Sequence, residues 1–307
     1  MVEVRNLIFD YPELRALNNV SFTIQPGTIT ALVGPNGCGK TTLMRCLAAL
    51  SKPLSGSISI DGHDTIADPH QVHLKTGYLK DIFGLYNDLT VRQSLLFTAY
   101  SRLPNTDDPE AAAERAAQKT GADRFMDQRV LTLSRGMRQR VGIAQAIVHN
   151  PVFLLLDEPA SGLDPEGRYE LSGLMTSLCN SGMTLLVSSH ILAELQDYSS
   201  EMLIMRAGAI VEHRGLTGVD HAAQKQTTME VLIAGNAEPI LSRLSGIAGV
   251  IRATGENSRM LITINPAVCS KNHLLRELIA MDAAVENFSE EKIDLQQTYI
   301  QTIKKKP

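Results

Sequence analysis

The chain has 307 residues, 44% hydrophobic and 20% charged, with no Trp and a formal charge of −4 when its 8 His are counted neutral. That length allows one large domain and a smaller one, and the acidic balance offers no basic stripe of the kind that binds nucleic acid. The cysteines Cys38, Cys46, Cys179 and Cys269 form no C-x-x-C pair, which argues against a zinc site or a disulfide framework. No apolar run reaches the ~18 to 20 residues of a membrane span and no signal-peptide pattern opens the chain, so a cytoplasmic protein is expected.

In chain order, Val2 to Ile8 and Val20 to Ile24 read as two strands joined through Tyr11-Pro12, and Pro26-Gly27 turns into the β-branched run Thr28 to Val33. Directly behind it stands Gly34-Pro35-Asn36-Gly37-Cys38-Gly39-Lys40-Thr41-Thr42, followed by Leu43 to Leu50 with apolar residues at helical spacing. Strand, G-x-x-x-x-G-K-[ST] loop and helix make a phosphate loop. Glycines let backbone N–H groups turn in on phosphates, Lys40 neutralises the β and γ phosphates, and the Thr41 hydroxyl is placed for Mg²⁺. Cys38, beside those amides and a helix N-terminus, is expected to have a lowered pKa and to react readily.

Pro53 to Gly62 alternates apolar with polar and ends in Asp61-Gly62, the mark of a half-buried strand and turn. The period becomes helical from Leu89, with Thr90 as N-cap, and again over Pro109 to Lys119, with Asp108 as cap and Pro109 at the first helical position. These helices are expected to form a lobe inserted into an α/β domain. After Leu133 to Arg140 and a helical stretch to His149, Val152 to Leu156 reads as a buried strand ending in Asp157-Glu158. In a chain with a phosphate loop, one such carboxylate is needed near Mg²⁺ and another group must orient or deprotonate the attacking water. Leu185 to Ser189 is a similar strand that delivers His190 to the same edge of the sheet.

This ordered set resembles the nucleotide-binding subunit of ATP-binding-cassette (ABC) transporters over about the first 215 residues. Tyr11 matches the aromatic A-loop residue, Gly34 to Thr42 Walker A, Leu133-Ser134-Arg135-Gly136-Met137 the signature motif, Phe153 to Asp157 Walker B, Ser161-Gly162-Leu163-Asp164 the D-loop, and His190 the H-loop. The resemblance implies a RecA-like P-loop NTPase core with an antiparallel β subdomain and a helical subdomain at about 85–150. It also implies ATP and Mg²⁺ as ligands. Tyr11 would stack on adenine, and Asn36, Gly37, Cys38, Gly39, Lys40, Thr41 and Thr42 would cradle phosphates. Thr41 and Asp157 would attend to Mg²⁺, Glu158 would polarise water and His190 would contact the γ phosphate. Ser134, Gly136 and Asp164 would serve the site of a second cassette paired head to tail, as homodimer or heterodimer.

Two positions depart from the family pattern. Arg135 and Met137 stand where Gly and Gln are usual in the signature, and Asp81 stands at the glutamine of the Q-loop, within Gly77 to Tyr86. The family's glutamine senses Mg²⁺ and links the cassette to its membrane partner, so Asp81 is carried as a further metal-site residue.

Beyond Gly215 the predicted order is strand Thr228 to Ala234, helix Pro239 to Leu244, strands Val250 to Thr254 and Met260 to Ile264, helix Leu274 to Met281 and strand Val285 to Phe288, with a closing helix near Leu295 to Ile303. That β-α-β-β-α-β order is the ferredoxin-like α+β pattern, an accessory domain over 216–307. The whole looks most like the ATPases of ABC-2-type exporters, which drive a separate transmembrane permease from the inner face of the membrane and move drugs, glycans or lipids. An importer ATPase with a substrate-sensing C-terminal domain and a soluble ABC ATPase are the alternatives. The second is disfavoured by the single cassette and the lack of a basic patch.

Overall fold

The computed structural model describes residues 1–81, 84–103, 108–189, 195, 198–215, 227–235, 237–244, 246–266 and 268–290. His190 and the predicted closing helix lie outside them. The chain divides into two units, the first built on Met1–Arg214 and the second on Gly215–Asp294.

The first unit holds two sheets. In one, β1 (Val2–Tyr11) pairs antiparallel with both β2 (Leu14–Ile24) and β4 (Ser55–Ile60), and β5 (His63–Asp64) pairs with β4. The β1–β2 hairpin is longer than its sequence pattern indicates, because register shifts after Val4 and Leu7, with Asn6 and Asn19 at positive φ, break the alternation that marks a strand. Asp61 and Gly62, both at positive φ, make the tight turn into β5.

The other sheet has the order β10-β9-β3-β8-β7-β6. It comprises β3 (Ile29–Val33), β6 (Thr76–Leu79), β7 (Phe153–Asp157), β8 (Thr184–Ser189), β9 (Glu201–Arg206) and β10 (Ala209–Gly215). β9, β3, β8, β7 and β6 run parallel. Every residue of β3, β7 and β8 is buried, which is why these strands read as unbroken apolar runs. Helix α1 (Lys40–Leu47) packs between the sheets, so Leu43 and Leu47 share one core with Phe22 and Ile58 on one side and Leu32, Leu155 and Leu186 on the other.

After α2 (Pro69–Lys75), three helices cluster: α3 (Val91–Arg102), α4 (Pro109–Thr120) and α5 (Arg135–Ile147). Thr90 and Gln93 form a reciprocal capping box on α3, and the Asp108 carboxylate accepts from Glu110 N and Ala111 N to start α4. The buried face of α4 is Ala112, Ala113, Ala116 and Ala117, small enough for close approach to α5. Helix α6 (Pro165–Asn180) leads from the far end of β7 to β8.

The second unit runs β11 (Thr227–Ile233), α7 (Glu238–Leu244), β12 (Val250–Glu256), β13 (Arg259–Ile264), α8 (Lys271–Ala280) and β14 (Val285–Glu290). Its sheet order is β12-β13-β11-β14 with antiparallel neighbours, so each strand-helix-strand unit is split by another strand. Met229, Val231 and Ile233 alternate inward on β11, as Met260, Ile262 and Ile264 do on β13, to meet Leu244, Leu274 and Leu278 from the helices.

Two glycines separate crowding from propensity. A β-carbon at Gly77 in β6 would be forced onto the Ala146 carbonyl oxygen of α5, whereas at Gly173 on the exposed side of α6 it would meet nothing within 4 Å. Gly77→Ala is expected to destabilise the protein by about 1–3 kcal/mol. Gly173→Ala should stabilise it by roughly 0.5–1 kcal/mol. Urea midpoints of the two variants on the same side of wild type would contradict this packing.

Candidate functional site

Because the central strands are parallel, β3, β7 and β8 all end on one edge, and the residues that follow them gather there. The phosphate loop leaves β3 and turns through Gly37 (φ 78) and Gly39 (φ 111) into α1. Gly39 has a second reason to lack a side chain, since a β-carbon there would stand 2.6 Å from the Ala16 carbonyl oxygen. Lys40 is 7% exposed, and its Nζ donates to the carbonyls of Gly34 (2.8 Å) and Pro35 (3.4 Å) and lies 3.8 Å from Glu158 Oε1. Carbonyls and one carboxylate thus satisfy a nearly buried cation at the floor of the loop.

The strand ends interlock. Thr41 Oγ1 donates to Asp157 Oδ2 at 2.8 Å, Ser188 Oγ donates to Asp157 Oδ1 at 2.6 Å, and the Glu158 backbone N–H donates to Ser188 Oγ at 2.9 Å. Glu158 takes φ 50, a left-handed conformation that costs a non-glycine residue of order 1–3 kcal/mol and is met chiefly at functional turns. Tyr11, 44% exposed at the end of β1, is braced edge-on by Phe9 and lies 3.4 Å from Thr42 Oγ1.

These residues enclose a cleft of about 500 Å³ bounded by Tyr11, Asn36, Gly37, Gly39, Lys40, Thr41 and Thr42 on one side and by Asp81, Asp157, Glu158 and Ser161 on the other. A divalent cation suits this donor set. The Thr41 hydroxyl and Asp157 carboxylate are hard oxygen ligands, Asp157 is 3% exposed, and Mg²⁺ characteristically takes one or two carboxylates with phosphate oxygens and water.

Ser134, Gly136 and Asp164 do not line the cleft. Ser134 caps α5 by accepting from Met137 N, and Asp164 caps α6 by accepting from Gly167 N at 2.9 Å. His190 lies outside the described residues. Cys38 corrects an expectation. Its side chain belongs to the core beneath the loop, 5% exposed, packed back against Gly34, and burial raises its pKa more than the Lys40 charge lowers it. Asn36, Gly37 and Gly39 line the cleft, whereas Cys38 does not. Sequence reasoning missed Ser188, which holds both carboxylate positions of the Asp157-Glu158 pair. Its signal is a hydroxyl pair, Ser188-Ser189, closing an otherwise apolar strand.

A phosphate loop entering a helix, a carboxylate pair at the end of a second parallel strand one place removed, and the sheet beneath them define a P-loop nucleoside triphosphatase. Residues 17–161 match the ABC transporter family. The chain is 31% identical over 232 residues to the bacitracin transport ATP-binding protein BcrA of Enterococcus faecalis, across 75% of this chain and 74% of that one. It is also 31% identical over 216 residues to the glutamine transport ATP-binding protein GlnQ of Escherichia coli (strain K12), across 69% of this chain and 90% of that one. Among solved structures, the dimeric ATP-binding cassette MJ0796, in a post-hydrolysis state bound to ADP and Pi, aligns with a TM-score of 0.65 at 25% identity, over 71% of this chain and 100% of that one. The chain belongs to the ABC transporter family as an ATP-binding subunit, and its enzymatic activity is ATP hydrolysis.

The position of Cys38 sets a labelling order. Cys179 is partly exposed, whereas Cys38, Cys46 and Cys269 are buried. A maleimide should therefore modify Cys179 first in the native protein, and Cys179→Ser should remove the fast phase. Fast labelling of Cys38 that MgATP blocks would contradict the core placement of its thiol.

Proposed function

We propose that the chain binds ATP and Mg²⁺ in the cleft and uses hydrolysis to drive a separate membrane permease that exports a drug, glycan or lipid. Lys40 and the amides from Asn36 to Thr42 hold the phosphates, and Tyr11 offers its face to adenine. Thr41, Asp157 and Asp81 attend to the metal, which when bound spreads the negative charge developing on the transferred phosphoryl group. Glu158, held by its turn at the cleft wall, takes a proton from the attacking water, and His190 contacts the γ phosphate. Ser134, Gly136 and the D-loop around Asp164 serve a second cassette paired head to tail. The Gly215–Asp294 unit is read as an accessory domain on this engine.

The observation that carries the permease reading is the placement of two adjacent residues after β6. Asp81 lines the nucleotide cleft, while Lys80 lines a separate cavity of about 200 Å³ with His73, Tyr78 and Arg102. One peptide therefore borders both the nucleotide and a basic recess suited to a partner's acidic segment. No helix among the described residues is long and apolar enough to cross a membrane, so the pathway for cargo belongs to that partner. Relatives with equal identity to this chain are named for bacitracin and for glutamine, so a cassette of this kind does not itself select cargo. The signature Leu-Ser-Arg-Gly-Met favours the export reading.

Three measurements test this reading. Glu158→Gln should still bind ATP, with turnover lower by ~10² to 10⁴-fold. Activity within a few-fold of wild type would exclude Glu158 as base. A carboxylate at 81 repels metal-free triphosphate and favours the metal complex, so Asp81→Gln should bind ATP more tightly in EDTA and gain less from Mg²⁺. Superimposable titrations for the two proteins would remove Asp81 from the metal site. Gentle solubilisation of membranes should recover a stoichiometric polytopic partner that drives a fluorescent drug into inside-out vesicles. Ribosomes or DNA in its place would overturn the transport reading.

A further inference from the structure

Arg135 occupies the first helical position of α5, where a cation opposes the helix dipole, and the first turn holds no acidic residue. Among the described residues its side chain makes no hydrogen bond or ion pair. Helix stability therefore gives no reason for an arginine here. Its guanidinium instead lies against Gly162. A β-carbon at Gly162 would stand 2.5 Å from Arg135 Cζ, 2.7 Å from Nε and 2.7 Å from Nη1. Three atoms of one planar group at nearly equal distance mean that the plane faces the glycine. Gly162 also sits at φ 68, a backbone conformation that favours glycine, and a β-carbon there would push the guanidinium off its place.

Gly162 is the far end of a short rigid path from the carboxylate pair. Ser161 N donates to Glu158 O at 3.1 Å and Leu163 N donates to Ala160 O at 3.2 Å, two overlapping turns that leave little freedom between Glu158 and Leu163. Arg168 Nε donates to Leu163 O at 3.1 Å and fixes the end that enters α6. The first turn carries Glu158 and Ser161 on the cleft wall, and the second carries Gly162 under Arg135. Displacing the second turn displaces the first.

We infer that Arg135 is a positioning residue for hydrolysis: by covering Gly162 it holds the Glu158–Leu163 turns, and so sets the aim of the Glu158 carboxylate from within the same chain. The inference rests on the reading of Glu158 as the group that activates water. It assigns a task to the arginine that replaces the usual glycine of the signature. The task needs the flat guanidinium face, which a lysine lacks.

The test uses the full chain with wild type, Arg135→Ala, Arg135→Lys, Gly162→Ala and the double variant Arg135→Ala/Gly162→Ala. Small misplacements of a catalytic group cost up to about 10²-fold, so Arg135→Ala should lower kcat by roughly 10-fold. The Kd for a fluorescent ATP analogue with Mg²⁺, set by the phosphate loop, should stay within about two-fold of wild type, because no substrate contact is removed. Arg135→Lys should not restore kcat, and the double variant should be no slower than Gly162→Ala alone, as expected for two changes that break one contact. The loss should be the same at every protein concentration. Wild-type kcat in Arg135→Ala, rescue by Lys, additive losses, or a loss that vanishes at high protein concentration would each overturn the inference. Because Arg135 is exposed, its two variants carry the test even where Gly162→Ala fails to fold. Glu158→Gln measured alongside separates the two readings. Its continued turnover overturns the role of Glu158 whatever Arg135 does, whereas wild-type kcat in Arg135→Ala overturns the positioning contact alone.

Discussion

The hydrogen bond from Thr41 Oγ1 to Asp157 Oδ2 joins residues 116 positions apart and is the contact on which the site depends. It exists because β3 and β7 are parallel strands of one sheet, separated only by β8, so the loop leaving one and the carboxylate ending the other reach the same edge. The fold supports this from beneath. The apolar faces of the two sheets and α1 share one core, so the helix that carries Lys40 and Thr41 is held on both sides. Ser188, at the end of β8, completes the lock by donating to Asp157 and accepting from the Glu158 amide.

Much of this was legible in the sequence, for physical reasons. Buried parallel strands announce themselves as apolar runs, so β3, β7 and β8 could be read directly, and the capping residues Thr90 and Asp108 marked true helix starts. In the second unit β11 and β13 are readable because they alternate, and the helices because they keep one apolar stripe. The sequence pattern shows only part of the hairpin β1–β2. There the chain shifts register and adopts positive φ at Asn6 and Asn19, and a bulged strand loses the period of two that reveals it.

The site was less uniformly legible, and the difference lies between backbone and side-chain chemistry. A motif states which residue types surround a ligand but not which way each faces. Cys38 looked reactive because its neighbours are amides and a helix N-terminus. The tight turn at Gly37 and Gly39 sends the thiol into the core, where burial outweighs the Lys40 charge. Ser188 shows the converse. Its one local mark is the hydroxyl pair that closes an apolar strand, and its role emerges only when a parallel neighbour brings Asp157 within 2.6 Å. Arg135 and Gly162 are likewise unrelated in sequence and touch only because α5 and the loop after β7 converge.

Charge in the cleft follows from the same geometry. Among the described residues that line it, Lys40 is the one cation, against the carboxylates of Asp81, Asp157 and Glu158. A triphosphate therefore enters a wall whose side chains sum to a negative charge, and the attraction must come from the loop amides, the N-terminal end of α1 and a bound divalent cation. Two unit charges 4 Å apart interact by about 4 kcal/mol at an effective dielectric of 20, so each carboxylate left without a counter-charge weighs heavily against the nucleotide. On the proposed reading metal and triphosphate bind together, since each neutralises what would repel the other. The glutamine usual at position 81 adds no charge to this balance. On the proposed reading Asp81 adds one, so that this cleft would depend more steeply on the cation than a glutamine there requires.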